Sequence, residues 1–547
     1  VDLTTRTTGQ DTPSGIPEDE ATGPSAGPVT PSPGASNAVR VAVVAVLAVG
    51  VVARFTAVSH LWLDEALTVN IARLPLSRLP DALRHDGAPP VYYVLLHAWM
   101  DAFGTKPLVV RALAGLFGVI ALPLTWVAAA RVAGARASGN PAPARRAAWS
   151  AVVLLAVSPF ALRYSTEGRM YTLVSVEVLV GFLAVLNLLD GGGWRPAAVL
   201  AAATGAALLT HYWSFYLVAV AVVALLLVAR SGSAPARAGA RRALGGIAAG
   251  GVLFLPWAPV FLYQLRHTGT PWGSPGTFQS IFDTVFQFAG GYWEPGILLG
   301  LLYFGLVALA VFGSGVDRRH VLLDLRTRPP GRWLAAVTFG ALAVAIVAGQ
   351  VGHSAFAVRY AAGLFALFVL VLGVGASVFL DARVHNVVLA VAVLAGLWAA
   401  APNAFGERTS AAKVAAALAA HASPGDVVAY CPDQLGPAVS RVLQGGGLVQ
   451  LTFPRAASPD RVDWVNYAKV NRAANTAAFA RMLLERAGPA HDVWVVWAPG
   501  YQTYGVKCQS LLNDLDDARP ANERVVKVSS KYFERPGLVR FHAPAGD

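Results

Sequence analysis

The chain has 547 residues, 55% hydrophobic and only 14% charged, with a formal net charge of +12. Soluble domains carry about 25% charged residues, so the composition excludes an ordinary soluble protein and points to a polytopic membrane protein. The positive charge does not indicate nucleic acid, because the Arg residues fall in short runs between apolar segments.

Residues 1–38 are rich in Pro, Ser, Gly and Thr, have little to bury, and read as a disordered cytoplasmic tail. They lack the basic n-region and cleavage site of a signal peptide. Apolar runs of about 20 residues, or nearly so, suit a bilayer span. They lie near 39–57, 108–130, 147–162, 170–189, 196–210, 214–229, 243–262, 295–314, 333–350, 360–380 and 386–402. With the N-terminus inside, alternate loops collect the basic residues, as the positive-inside bias requires. These are Arg131, Arg136, Arg145 and Arg146, then Arg195, then Arg230, Arg237, Arg241 and Arg242. Arg318, Arg319, Arg326, Arg328 and Arg332 follow, and then Arg383. An odd number of spans places the C-terminal segment outside the cell membrane.

The outward loops are then 58–107, 163–169, 211–213, 263–294 and 351–359. The first, SHLWLDEALTVNIARLPLSRLPDALRHDGAPPVYYVLLHAW, carries Asp64, Glu65 and Asp86. Leu61, Trp62, Leu63 and Leu67 flank the acidic pair and hold it at the interface, where carboxylates are costly and rarely kept without a use. Chemistry is expected in this loop. Within it, Leu74, Leu76, Leu79 and Leu83 can form the apolar stripe of a helix lying in the membrane surface, with Pro75 and Pro80 arguing against it. Gly290-Gly291-Tyr292-Trp293-Glu294 offers an aromatic that either stacks on a sugar or packs its own loop.

From 404 the pattern changes to alternating helices and strands, an α/β domain over 404–547 behind the transmembrane domain 39–403. DVVAYC and HDVWVVWAPG read as buried strands, and VVKVSSKYFERPGLVRFHA supplies two more. Cys431 and Cys508 can pair in an oxidising exterior, closing a long loop worth about 4–5 kcal/mol on the chain-entropy model. Two unrelated buried thiols are the alternative. The absence of C-x-x-C or a His-rich cluster gives no indication of zinc or redox chemistry.

Five motifs recur in order across residues 50–370: LWLDEA, DGAPPVYYVLLHAW, SPFALRYSTEGRMYTL, THYWSFYLV and AVRYAAGLFALFVLVLG. In these the chain resembles the GT-C superfamily of membrane glycosyltransferases, in the branch of protein O-mannosyltransferases and the lipid A aminoarabinose transferase. It departs from that pattern at Ala88, where the family often has His before Pro-Pro.

The resemblance implies transfer of a sugar, mannose first, from a polyprenyl-phosphate carrier to a lipid, glycan or protein acceptor at the outer face. A carboxylate can take the acceptor's proton; Asp64 is the candidate base, and Glu65 orients the acceptor or the base. Two adjacent acids repel, which would raise the pKa of one of them. The departing phosphate needs cations, and Arg169 and Arg359, at the outer ends of spans, can grip it bidentately or snorkel to headgroups. Glu167 and Tyr171 bracket Arg169, and Tyr360 follows Arg359. His211 and Tyr212 either bind sugar or phosphate or cap a helix. Asp86 either shapes the acidic loop or touches the donor. Tyr92 and Tyr93 read as interface or core aromatics. No cofactor is expected, although an acidic pair can hold a divalent cation, and no nucleotide-binding motif is present. A lipid or glycolipid transporter is the rival; it would place ionisable groups in mid-membrane and show repeated halves. Convergence of Asp64, Arg169 and Arg359 on one cavity separates the two.

Overall fold

The computed structural model describes residues 33–134, 142–327, 329–443 and 445–544. Residues 1–32 of the expected tail, and Arg136 and Arg328 of the basic loops, lie outside them. Residues 33–38, also assigned to that tail, instead begin the helix Pro33–Ala53, where a Pro at the first position loses no hydrogen bond. Val46–Asp547 forms one unit.

Eight helices among the described residues are long and apolar enough to cross a membrane. They are Pro107–Gly134, Tyr171–Leu189, Ser214–Ser231, Ala234–His267, Glu294–Phe312, Pro330–Val351, Val358–Ala376 and Ala382–Phe405. A further span is the pair Ala142–Val157 and Pro159–Ser165, bent by 56°. The bend falls at Ser158, whose hydroxyl accepts from the Ala161 N–H at 3.3 Å and caps the second half. The apolar Asn37–Ala53 and the 17-residue Trp194–Thr210 are shorter. Helices therefore stand at every expected span, and the protein is a multi-pass helical membrane protein.

Fully buried Arg54 donates to the carbonyls of Gly50, Gly118, Leu155 and Ala156 at 2.7–3.2 Å. These carbonyls lie at or near helix ends or at a close helix approach, where a bilayer offers no donor.

Between the helices Pro33–Ala53 and Pro107–Gly134, the first loop folds into the helices Leu63–Ala72, Leu79–Asp86 and Val91–Phe103. Gly87, at φ 85°, ends the second of these in the left-handed conformation that glycine adopts without a Cβ clash. The expected four-leucine stripe does not form. Leu79 and Leu83 are buried, but Leu76 sits 52% exposed in a short 3-10 turn, because Pro80 lacks an N–H and is tolerated only in a helix's first turn.

The loop after Phe312 carries a small antiparallel ribbon, β1 (Gly313–Gly315) with β2 (Val321–Leu323). The C-terminal part holds a five-stranded sheet of β3 (Val427–Cys431), β4 (Val449–Thr452), β5 (Val493–Trp497), β6 (Asn522–Val526) and β7 (Gly537–Phe541), in the order β4-β3-β5-β7-β6. β3 runs parallel to β4 and β5, and β7 antiparallel to β5 and β6. The continuous apolar runs of β3 and β5 reflect burial on both faces. The sequence reading passed over β4, a short Val-Gln-Leu-Thr with no such run. A disulfide joins Cys431, at the end of β3, to Cys508 in the helix Lys507–Ala518.

Candidate active site

The first-loop helix Leu63–Ala72 presents successive residues in different directions, and this separates the acidic pair. Asp64 points into a cavity of about 1150 Å³. Glu65, about 100° further round the helix, does not line that cavity and is fully buried. Its two oxygens accept from Arg111 Nε at 2.7 Å and Nη2 at 2.6 Å, and Oε1 also accepts from the Gly168 N–H at 2.9 Å. Burial alone would push the Glu65 carboxyl up; the Arg111 guanidinium outweighs it and holds the group below its ordinary value. Arg111 also donates to the carbonyls of Ser59 and His60 at 2.6 and 3.1 Å. Glu65 is therefore not placed to orient an acceptor, and the anticipated repulsion with Asp64 is replaced by a buried ion pair. A Cβ at Gly168 would meet Val110 Cγ1 at 2.6 Å, so only glycine brings this turn against Glu65.

The other loops expected to face outward meet at the same cavity, which is lined by Asp64, Asp86, Arg169, Tyr171, His211, Tyr212, Arg359 and Tyr360 among others. Asp64 Oδ2 lies 3.8 Å from Arg359 Nη2. Arg169 donates to the Thr68 hydroxyl and, at 3.4 Å, to the Tyr93 hydroxyl, and its Nη1 stands 3.5 Å from the Asp64 carbonyl. Tyr93 in turn donates to Asp86 Oδ2 at 2.6 Å, so Tyr93 belongs to this network and not to an interface belt. Burial raises the Asp86 carboxyl above its ordinary value. The Nε atoms of both Arg169 and Arg359 are buried without a hydrogen-bond partner among the described residues. Arg359 also lies over the rings of Trp272 and Tyr360, at 5.1 and 5.6 Å.

Not every candidate reaches the cavity. Glu167 is buried behind it, 3.0 Å from Arg163, and burial pushes its carboxyl up. His211 lines the cavity, but burial, with Arg169 and Arg359 nearby, pushes its imidazole down to about 3. It is neutral at physiological pH and brings no positive charge to a phosphate. The Tyr212 hydroxyl is committed, donating to Gln264 and accepting from Trp257 Nε1 at 2.9 Å. Gln264 then donates to the carbonyls of Leu83 and Ala88 at 2.8 and 3.2 Å, so the 211–213 bend braces the first loop. The Gly290–Glu294 turn stands outside the cavity, with Trp293 Nε1 bonded to the Gly290 carbonyl at 3.1 Å. Among the described residues, no group of three or more His, Cys, Asp or Glu side chains could hold a metal ion.

The sequence reading missed Glu534. It comes from the segment before β7, lines the cavity and is 3% exposed. Its Oε1 accepts from the Leu63 N–H at 3.1 Å, at the start of the helix that carries Asp64, while Oε2 has no hydrogen-bond partner among the described residues. Its backbone N–H donates to the Arg408 carbonyl at 2.9 Å, and the Arg408 guanidinium donates twice to Thr166, at 2.7 Å each. The only signal was an acid set in the aromatic and basic run Lys531-Tyr532-Phe533-Glu534-Arg535.

Burial pushes the Glu534 carboxyl from 4.5 up to about 8. Between those values the folded protein holds a proton that the unfolded chain releases, so stability falls as pH rises through that window, by at most about 1.4 kcal/mol per pH unit. Glu534→Gln is expected to flatten that part of the curve of unfolding temperature against pH. An unchanged slope would assign the pH dependence elsewhere.

No protein-family model matches the sequence, and a comparison with curated proteins finds no match. Solved structures do match. ArnT from Cupriavidus metallidurans in the apo state is 15% identical, covering 94% of this chain and 100% of that one, with a TM-score of 0.60. ArnT bound to undecaprenyl phosphate is 14% identical over the same shares, with a TM-score of 0.57. An oligosaccharyltransferase from Archaeoglobus fulgidus is 12% identical, covering 83% of this chain and 67% of that chain, with a TM-score of 0.45. The chain shares the fold of ArnT over nearly its whole length.

Proposed function

We propose that this protein is a membrane glycosyltransferase that moves a sugar from a polyprenyl-phosphate carrier to an acceptor hydroxyl at the outer face of the cell membrane. One observation carries the reading: Asp64, Arg169 and Arg359, from three separate loops, converge on one cavity, with Asp64 3.8 Å from Arg359. A transporter would be served by dispersed ionisable groups along a path. The undecaprenyl phosphate bound to ArnT supports a polyprenyl-phosphate carrier.

The acceptor oxygen attacks the anomeric carbon as its proton passes to the Asp64 carboxylate. The bond from that carbon to the phosphate oxygen breaks, and the polyprenyl phosphate leaves against Arg169 and Arg359. Their unpartnered Nε atoms leave donor capacity for phosphate oxygens. The two guanidiniums supply the charge without a metal. Mannose is the first sugar to try, and arabinose or another pentose the next. The test is purified protein against a panel of polyprenyl-phosphate sugars, reading loss of the lipid-linked donor. Turnover of none of them would overturn the proposal.

Arg169→Ala is expected to reduce kcat/KM for the donor by roughly 10- to 150-fold, since a hydrogen bond to a charged group is worth about 1.5–3 kcal/mol. Arg169→Lys should recover part of this, because Lys lacks the fork. Unchanged donor kinetics with a lower yield would make Arg169 a structural residue.

The cavity and the C-terminal sheet are placed outside, with the N-terminus cytoplasmic. The basic inside loops and the Cys431–Cys508 disulfide, which persists in oxidising compartments, support this. In intact cells, a membrane-impermeant maleimide should label these two cysteines only after treatment with a membrane-impermeant reductant. Labelling of unreduced protein would refute the bond, and labelling of the reduced protein only in permeabilised cells would refute the placement.

A further inference from the structure

The strand order β4-β3-β5 places β3 between two parallel partners, reached on opposite sides. Chain connections therefore diverge at the carboxyl ends of β3 and β5. In open parallel sheets that divergence leaves a crevice, and ligands bind there. In this protein the crevice opens onto the membrane-side cavity. Gln434, just after β3, and Tyr501, Gln502 and Thr503, just after β5, line the cavity that holds Asp64. Trp464 and Phe533 line it as well, Phe533 with 68% of its surface exposed and its ring edge-on to Trp62 at 5.2 Å.

These side chains share one chemistry. Two amides and a hydroxyl can each donate and accept hydrogen bonds, and three aromatic rings offer flat apolar faces. A pyranose or furanose presents the complementary surface, hydroxyls around its edge and C–H groups on its face. The amide of Gln434 is held in place, donating to the Tyr467 hydroxyl at 3.1 Å, and Asp433 behind it accepts from both Tyr467 and Tyr504. An extended peptide would instead seek a free strand edge, whereas β3 and β5 are both paired on either side.

We propose that this crevice of the C-terminal sheet is the acceptor site and that the acceptor is a glycan, whose terminal hydroxyl is presented downward to Asp64. This rests on the reading of the cavity as a transferase site. Arg169 and Arg359 occupy the membrane side and the crevice the opposite side, so donor and acceptor would meet between them.

The test needs no donor. Full-length protein in lipid nanodiscs is titrated with short manno-, arabino- and galacto-oligosaccharides and with a Ser/Thr-containing peptide, and binding is followed by saturation-transfer NMR. At least one oligosaccharide should bind saturably, and Gln502→Ala and Phe533→Ala should each weaken it about tenfold, the loss of one good contact. In turnover the same variants should raise the acceptor KM and leave the donor KM within about twofold. Binding of the peptide alone, binding of no probe, or oligosaccharide binding indifferent to both substitutions would overturn the proposal. Transfer to peptide alone would overturn it while the transferase reading stands. Oligosaccharide binding without turnover of any lipid-linked sugar would sink that reading and leave the glycan site.

Discussion

Replacing Asp64 by Asn is expected to lower sugar transfer by about 10²–10⁴-fold, the usual cost of losing a general base, with near-normal amounts of folded protein. The swap keeps the shape of the side chain and removes its proton acceptor. The surroundings should tolerate it, because Asp64 is only partly buried, faces the cavity, and has its ion-pair partner Arg359 at 3.8 Å. Release of the carrier phosphate from a polyprenyl-phosphate sugar is the measurement. More than half the activity remaining would transfer the base's role to Asp86, the other first-loop acid on the cavity, which accepts a hydrogen bond from Tyr93. Loss of both activity and folded protein would make Asp64 structural.

Glu65→Gln should do the reverse, acting on the fold before the chemistry. Glu65 and Arg111 are 0% and 3% exposed at the side chain and 2.6 Å apart, and removing one partner from such a pair typically costs about 3–5 kcal/mol. The substitution leaves Arg111 buried against a neutral amide and weakens the bond from Gly168. Arg111→Ala should be at least as severe, since it also releases the carbonyls of Ser59 and His60. Thermal unfolding in detergent is the readout, with yield from membranes as a check. A Glu65→Gln protein of normal stability but no activity would restore Glu65 to the chemistry.

The contrast between these neighbours marks how far the sequence could be read. The helical spans were legible because each is a long apolar run, and β3 and β5 were legible for the same reason on a shorter scale. Position in the loops expected to face outward brought Asp64, Arg169 and Arg359 to attention, and all three line the cavity. Which of two adjacent acids faces it was not legible, because that depends on the rotation of the Leu63–Ala72 helix. Arg111, 46 residues away, fixes that rotation from inside a span. Arg54 was overlooked for a related reason: its partners are backbone carbonyls, which carry no side-chain signature. Glu534 was hidden by distance, since nothing near it in the sequence marks it as a partner of Leu63.

That distance has a consequence for the order of events during synthesis. The Leu63 N–H gains its Glu534 partner only when a segment 471 residues further along the chain has been made and has folded back. Until then the acidic loop already stands at the bilayer surface with its helical start uncapped, and the crevice above it does not exist. A half-made chain thus holds the carboxylate but not the surroundings that aim it. The last segments to be made are the ones that complete the cavity around Asp64.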